Sequence, residues 1–177
     1  MKIDKTSFDD LLIINHNIFA DIRGEFREIF KTKILDSLKR KIVFCQENSV
    51  ISNFMVLRGL HFQLEPHAQT KLISVIRGEI LDVAVDIRKN SKTYGKYFQY
   101  KLSENSKQSI LIPKGFAHGY LTLSKTAYVN YKVDNYYNKE SERGINYNDK
   151  QLNIDWGVDH QSLIISEKDK SLDDFTW

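Results

Sequence analysis

Cysteine is nearly absent from this 177-residue chain: Cys45 stands alone. That excludes an internal disulfide and a cysteine-rich metal site. Glycine occurs eight times and proline twice, and no G-x-G-x-x-G is present, so the chain has neither a dinucleotide fingerprint nor a glycine-rich phosphate loop. A G-x-S-x-G elbow is also lacking, which removes the usual support for Ser-His-Asp hydrolysis. No apolar run approaches the roughly 18 residues of a membrane-spanning helix. The N-terminal residues do not follow the basic, apolar, small-residue order of a secretory signal, so a reducing cytoplasm is the expected compartment. Charge has no strong sign: the net value is +3, which suits a small anionic ligand without requiring one. The densest basic segment, Leu38-Lys39-Arg40-Lys41, reads as a solvated helix end rather than a nucleic-acid patch.

What is present is ordinary globular stock, 41% hydrophobic and 28% charged, long enough for one domain over residues 1–177 with a full core. Short period-2 runs dominate. Lys71–Ile76, Ile80–Ile87, Tyr97–Leu102, Ser109–Ile112, Gly119–Leu123 and Ala127–Val133 read as strands, and their length and spacing predict an antiparallel sandwich or barrel. Gly78-Glu79 suits the turn between the first two. In Ile80–Ile87, Leu81, Val83, Val85 and Ile87 share one face, with Asp82 and Asp86 on the other. One helix is expected, Lys31–Lys41, from the spacing of Ile34, Leu35 and Leu38. The tail from Leu152 to Trp177 is weakly periodic and predicts one short helix or strand, with Leu163-Ile164-Ile165 docking on the core.

The chemistry-bearing residues sit in strand-like settings. Val56-Leu57-Arg58-Gly59-Leu60-His61-Phe62-Gln63 places an arginine and an imidazole in an apolar run, where ionisable groups are costly unless paired or used. Alternation puts His61 and Gln63 on one strand face. Lys71 shares a face with Ile73 and Val75, and Tyr131 with Val129 and Val133. If those faces line one interior, a base, an ammonium and a phenol converge, a set able to take a proton from carbon beside a carbonyl and hold the enolate. Taken singly, His61 or Tyr131 would be a satisfied core residue and Lys71 an edge-strand gatekeeper; the conjunction carries the reading. A metal-binding barrel would use two or three histidines and a carboxylate. Here Gln63 stands where the second histidine would be, no glutamate completes a set with His118, and His67 is expected at the surface, so no metal is assigned. Arg23 and Arg58 are the first candidates to hold a phosphate.

Taken together, these residues resemble the dTDP-4-dehydrorhamnose 3,5-epimerase family. The likeness runs from about Phe19 to Asp169, nearly the whole chain. It is carried by Asp21-Ile22-Arg23-Gly24-Glu25-Phe26-Arg27-Glu28, Gln46-Glu47-Asn48-Ser49, Arg58 to Gln63, Gln69-Thr70-Lys71-Leu72 and Asp82 to Arg88. Pro113-Lys114-Gly115-Phe116-Ala117-His118-Gly119, Tyr131-Lys132, Tyr136-Tyr137 and Ser166-Glu167-Lys168-Asp169 complete it. The resemblance implies a cupin-type antiparallel jelly roll, a homodimer, no cofactor or metal, and a 4-keto-6-deoxy sugar on thymidine diphosphate as substrate. By position it implies His61 as general base with Asp169 as its carboxylate partner, Tyr131 as the acid on the opposite face, and Lys71 beside the developing enolate oxygen. Arg23, Arg58 and His118 match positions that contact the nucleotide or sugar. Glu28, Gln46, Asn48, Glu142 and Lys168 match further binding positions, and Tyr137 the ring that stacks on thymine.

Arg58 and His61 have opposite parity on an ideal strand. Either a bulge at Gly59 re-aims one of them, or Arg58 reaches across a dimer interface. Relatives acting on C3 alone or C5 alone would share these blocks, and a non-catalytic sugar-binding barrel would be expected to lack His61 or Tyr131. Exposed strand edges and an N-terminal segment without its own core favour a dimer.

Overall fold

In the computed structural model, which describes residues 1–38 and 41–176, the chain is mainly β and forms a jelly roll of two facing antiparallel sheets. Its strands are β1 (Lys2–Lys5), β2 (Leu12–Asn15), β3 (Asn17–Asp21), β4 (Gly24–Glu28), β5 (Gln46–Asn53), β6 (Leu57–Gln63), β7 (Lys71–Arg77), β8 (Glu79–Asp86), β9 (Tyr97–Ser103), β10 (Gln108–Ile112), β11 (Phe116–Thr122), β12 (Thr126–Val133) and β13 (Glu142–Gly144). A six-stranded sheet runs β1-β2-β10-β7-β12-β5 and a five-stranded sheet runs β13-β6-β11-β8-β9. β3 and β4 form a separate two-stranded hairpin.

Period-2 alternation gives each sheet two apolar faces, and each face finds cover. Between the sheets, Ile73, Val75, Ile110 and Val129 of the larger meet Ile80, Ala84, Leu102 and Tyr120 of the smaller. Leu57, Leu81, Val83, Val85 and Leu121 face the other way, under Trp156 and Phe175 of the C-terminal segment. Leu12, Ile14, Leu72 and Leu111 on the outer face of the larger sheet are covered by Leu35 and Ile42. Asp82 and Asp86 therefore point into the sandwich, and both are buried.

The predicted strands recur in place, with β11 beginning at Phe116, so the Pro113–Gly119 turn already enters the sheet. The helix expected over Lys31–Lys41 is a short 3-10 turn, Thr32–Ser37, and Lys39 and Arg40 lie outside the described residues. Its N-cap, Lys31, caps nothing with its side chain, and neither end carries a charge complementing the backbone dipole, so local stabilisation of a longer helix is missing. Ile34, Leu35 and Leu38 still pack on the sheet, as their spacing indicated. The tail holds a one-turn helix, α1 (Glu167–Lys170), and a 3-10 turn at His160–Ser162. Leu163 and Ile165 pack on the core, while Ile164 is exposed and docks through its backbone in a parallel bridge with Val56.

Candidate active site

A cavity of about 370 Å³ opens between the sheets and is lined by Arg58, His61, Lys71, His118, Tyr131, Tyr137, Glu142, Lys168 and Asp169 among others. Its size lies within the ordinary range for small-molecule sites. The strand β6 supplies one wall. His118 of β11 pairs with His61, but Tyr120 pairs with Arg58, so β6 carries one residue more than its partner over this stretch. The extra residue permits the bulge at Gly59 that brings Arg58 and His61 to the same cavity. Gly59 sits at φ 113°, and a Cβ there would lie 2.5 Å from Gly119 Cα and 2.7 Å from the His118 carbonyl oxygen. Only glycine fits this crossing. Arg58 is thereby aimed into the cavity of its own chain. Its Nε donates to Ser52 Oγ at 2.9 Å, and Ser52 hydrogen-bonds the Tyr120 hydroxyl at 3.0 Å.

His61 Nε2 lies 2.8 Å from Asp169 Oδ1. Asp169 comes from α1, whose N-cap, Ser166, accepts a hydrogen bond from the Asp169 amide; the other carboxylate oxygen accepts the Gly59 N–H at 3.1 Å. The bulge and the helix thus lock one imidazole orientation between them. Burial alone would raise the Asp169 carboxyl, but the hydrogen bond and charge of His61, with the Gly59 and Ser166 contacts, hold it below the usual carboxylate value. It stays an anion beside the ring.

The facing wall belongs to the six-stranded sheet. Tyr131 of β12 and Lys71 of β7 project inward, and Lys71 Nζ donates to the His61 carbonyl at 3.2 Å. Burial pushes the Lys71 ammonium down to about 8, against the pull of Asp82 and Glu142. Burial likewise raises the Tyr131 phenol, with the Arg58 charge opposing, so Tyr131 holds its proton firmly at neutral pH.

A second imidazole–carboxylate pair underlies the site: His118 Nε2 and Asp82 Oδ2 are 2.8 Å apart and both residues are buried. Asp82 was not a candidate from the sequence. The signal available was its place opposite Leu81, Val83 and Val85, since an aspartate alternating inside an otherwise apolar strand must have a partner. Ser52 and Tyr120 were equally unsignalled, because they meet across 68 residues of sequence; Ser166 acts locally, as the N-cap three residues before Asp169.

At the mouth, Glu142 of β13 accepts from Tyr137 Oη at 2.9 Å and from Lys168 Nζ at 2.6 Å. Burial would raise the Glu142 carboxyl, but Lys168 and Tyr137 hold it low. The remaining candidates lie outside the cavity of this chain. Arg23 stands exposed at the tip of the β3–β4 hairpin and pairs with Asp21. Glu28 pairs with Lys31 and accepts from Asn17. Gln46 donates to Asn48 on β5, on the face that further along carries the cavity-lining Val50. His67, expected at the surface, is half-buried, and its carbonyl accepts from Gln63. Among the described residues no three His, Cys, Asp or Glu side chains are grouped to hold a metal ion.

The family model described as dTDP-4-dehydrorhamnose 3,5-epimerase matches residues 5–176. A dTDP-4-dehydrorhamnose 3,5-epimerase of Shigella flexneri is 47% identical over 170 residues, 96% of this chain and 93% of that protein. The crystal structure of the dTDP-4-dehydrorhamnose 3,5-epimerase of Elizabethkingia anophelis superposes with a TM-score of 0.94 at 44% identity, covering 99% of this chain and 96% of that one. A dTDP-6-deoxy-D-glucose-3,5-epimerase of Legionella pneumophila, solved in complex with dTDP-4-keto-L-rhamnose, matches with a TM-score of 0.92 at 44% identity over 98% of this chain and 92% of that one.

Proposed function

The chain belongs to the dTDP-4-dehydrorhamnose 3,5-epimerase family, and we propose that it inverts C3 and C5 of a dTDP-4-keto-6-deoxyhexose, converting dTDP-4-dehydro-6-deoxy-D-glucose to dTDP-4-dehydro-L-rhamnose through enolates. The observation that carries the mechanism is the placement of the His61–Asp169 pair and the Tyr131 phenol on opposite sheets of one cavity. With Nε2 engaged by Asp169, the other ring nitrogen is left to take the proton from the carbon beside the ketone. The C–H electron pair forms a double bond to the carbonyl carbon of the sugar, and the C=O π pair moves onto the oxygen to give an enolate beside the Lys71 ammonium. The charge of Asp169 supports the imidazolium that forms, as a carboxylate does in other histidine-base sites. The Tyr131 hydroxyl then delivers its proton to the same carbon from the far face, and the electrons return to form the ketone. Tyrosinate and imidazolium reset by proton exchange with water. The same pair serves the second carbon once the sugar has shifted between the walls. These steps call on no cofactor or metal.

In this reading Arg58 and His118 hold sugar and diphosphate, Glu142 and Lys168 close the mouth, and Tyr137 stacks on thymine. Arg23, Glu28, Gln46 and Asn48 join the site through a homodimer. The β3–β4 hairpin supports this: it carries exposed Phe19, Ile22 and Phe26, apolar surface that a partner subunit would cover. The enzyme would act in the cytoplasm on a free nucleotide sugar, with no nucleic acid or membrane as partner. The test is proton NMR of dTDP-4-keto-6-deoxyglucose with the enzyme in D₂O. Deuterium entering at both C3 and C5 is the expected result; entry at one carbon alone would make it a C3-only or C5-only epimerase.

A further inference from the structure

Gln63 lines the cavity and is buried, yet its amide serves the backbone. Nε2 donates to the carbonyls of His67 at 2.6 Å and Tyr136 at 3.2 Å, and Oε1 accepts the Asn138 N–H at 2.7 Å. Two of these contacts fall on the residues immediately before and after Tyr137. The remaining one ties in the turn after β6. Other stitches join the same two segments: Gln69 Nε2 donates to the Asn135 carbonyl at 2.8 Å, and Asn135 Nδ2 to the Pro66 carbonyl at 2.9 Å. Gln63 is 7% exposed, so water cannot readily replace its bonds. Tyr137 itself is 55% exposed and is held at the tip of its ring by Glu142. Its position therefore depends on the backbone on either side of it.

We propose that Gln63 is a positioning residue for nucleotide recognition: by bracketing residues 136 and 138 it pre-sets the Tyr137 ring for stacking on the thymine. The proposal rests on the reading of Tyr137 as the stacking ring. A neutral amide is the group this place needs. It donates twice and accepts once, whereas a carboxylate would set negative charge against two carbonyl oxygens and an apolar side chain would strand all three backbone groups. An ordered loop spares the ligand the cost of ordering it on binding, so the effect belongs to affinity and not to the chemical step.

The experiment measures dTDP binding by calorimetry and steady-state kinetics for the wild type, Gln63→Leu, Tyr137→Ala and the double variant, with folding checked by circular dichroism. Gln63→Leu is expected to weaken dTDP binding and raise KM by roughly tenfold, with kcat within about twofold of wild type. Tyr137→Ala should also weaken dTDP, and adding Gln63→Leu to it should cost less than about a further twofold, because coupled residues do not add. Gln63→Glu, which keeps the acceptor and loses both donors, should weaken dTDP at least as much and stands in if the leucine variant does not fold. Equal losses from Gln63→Leu with and without Tyr137 would overturn the proposal, since the amide would then act by another route. So would wild-type affinity in both Gln63 variants while Tyr137→Ala binds weakly; the stacking reading would survive that result. Wild-type affinity in Tyr137→Ala would instead remove the stacking reading, and the proposal with it.

Discussion

At the scale of single residues, the proposed mechanism separates groups that move protons from groups that hold charge. His61→Asn should reduce deuterium entry at both carbons by at least 10²- to 10⁴-fold, the usual worth of a general base, while dTDP affinity stays within about twofold by calorimetry. Wild-type exchange in that variant would assign the base elsewhere. Asp169→Asn should slow exchange less than loss of the ring itself, since the imidazole remains but its supporting charge is gone. Lys71 gives a pH prediction with a definite sign. Burial brings its ammonium down to about 8, so it is charged below that pH and neutral above it. If the charge steadies the enolate, kcat should fall as pH rises through about 8, and Lys71→Met should be slow and show no such limb. A limb of unchanged midpoint in Lys71→Met would show that another group titrates. His61, Lys71 and Tyr131 were legible in the sequence because each is an ionisable group set in an apolar, strand-like run. Asp82 was not, because its partner, His118, is 36 residues away and only the sheet pairing of β8 with β11 joins them.

At the scale of elements, the β6 bulge does what regular pleating cannot. The parity conflict between Arg58 and His61 was visible in the sequence; its resolution was not, since a bulge is defined by the partner strand as much as by its own residues. Gly59→Ala puts a Cβ against the backbone of β11 at a positive φ. It should destabilise the fold by about 2–4 kcal/mol in urea unfolding, and lower exchange by moving both His61 and the amide that holds Asp169. An alanine variant as stable as wild type would mean that β6 and β11 separate at little cost. The strand positions were legible because alternation over short apolar runs is a local signal. The length of the 31–41 segment was not: its Ile34-Leu35-Leu38 spacing is helical, but the sheet it covers holds these side chains without needing regular turns beyond Ser37. The hairpin of β3 and β4 was likewise unseen as strands, since Asp21 to Glu28 is too polar to alternate visibly.

At the scale of the whole molecule, the proposed mechanism draws its two sides from the two sheets, and the chain alone leaves Arg23, Glu28, Gln46 and Asn48 outside the cavity. A dimer in sedimentation, lost together with activity on Phe19→Asp or Phe26→Asp, is the expected outcome; a fully active monomer would leave those residues without a role in the site. Activity should also survive dialysis against a strong chelator, because both cavity histidines are held by carboxylates and Gln63 by backbone. Loss of rate restored by one divalent ion would contradict this. An antiparallel sandwich or barrel was legible from the series of short strands and its jelly-roll form from the family resemblance, whereas the C-terminal segment was only partly legible. Its Leu163 and Ile165 dock as expected, but α1, which carries Asp169 to His61, depends on one serine cap and a bridge to Val56.

The claim that base and acid work from opposite walls is tested most directly by Tyr131→Phe in D₂O, scored as the ratio of epimerised product to exchanged substrate. His61 can still remove a proton and return deuterium on its own face, so exchange should persist, slowed, while inversion falls by a further 10²-fold or more, within the range expected for loss of a general acid. Exchange and inversion falling in parallel, or neither falling, would contradict the two-sided mechanism.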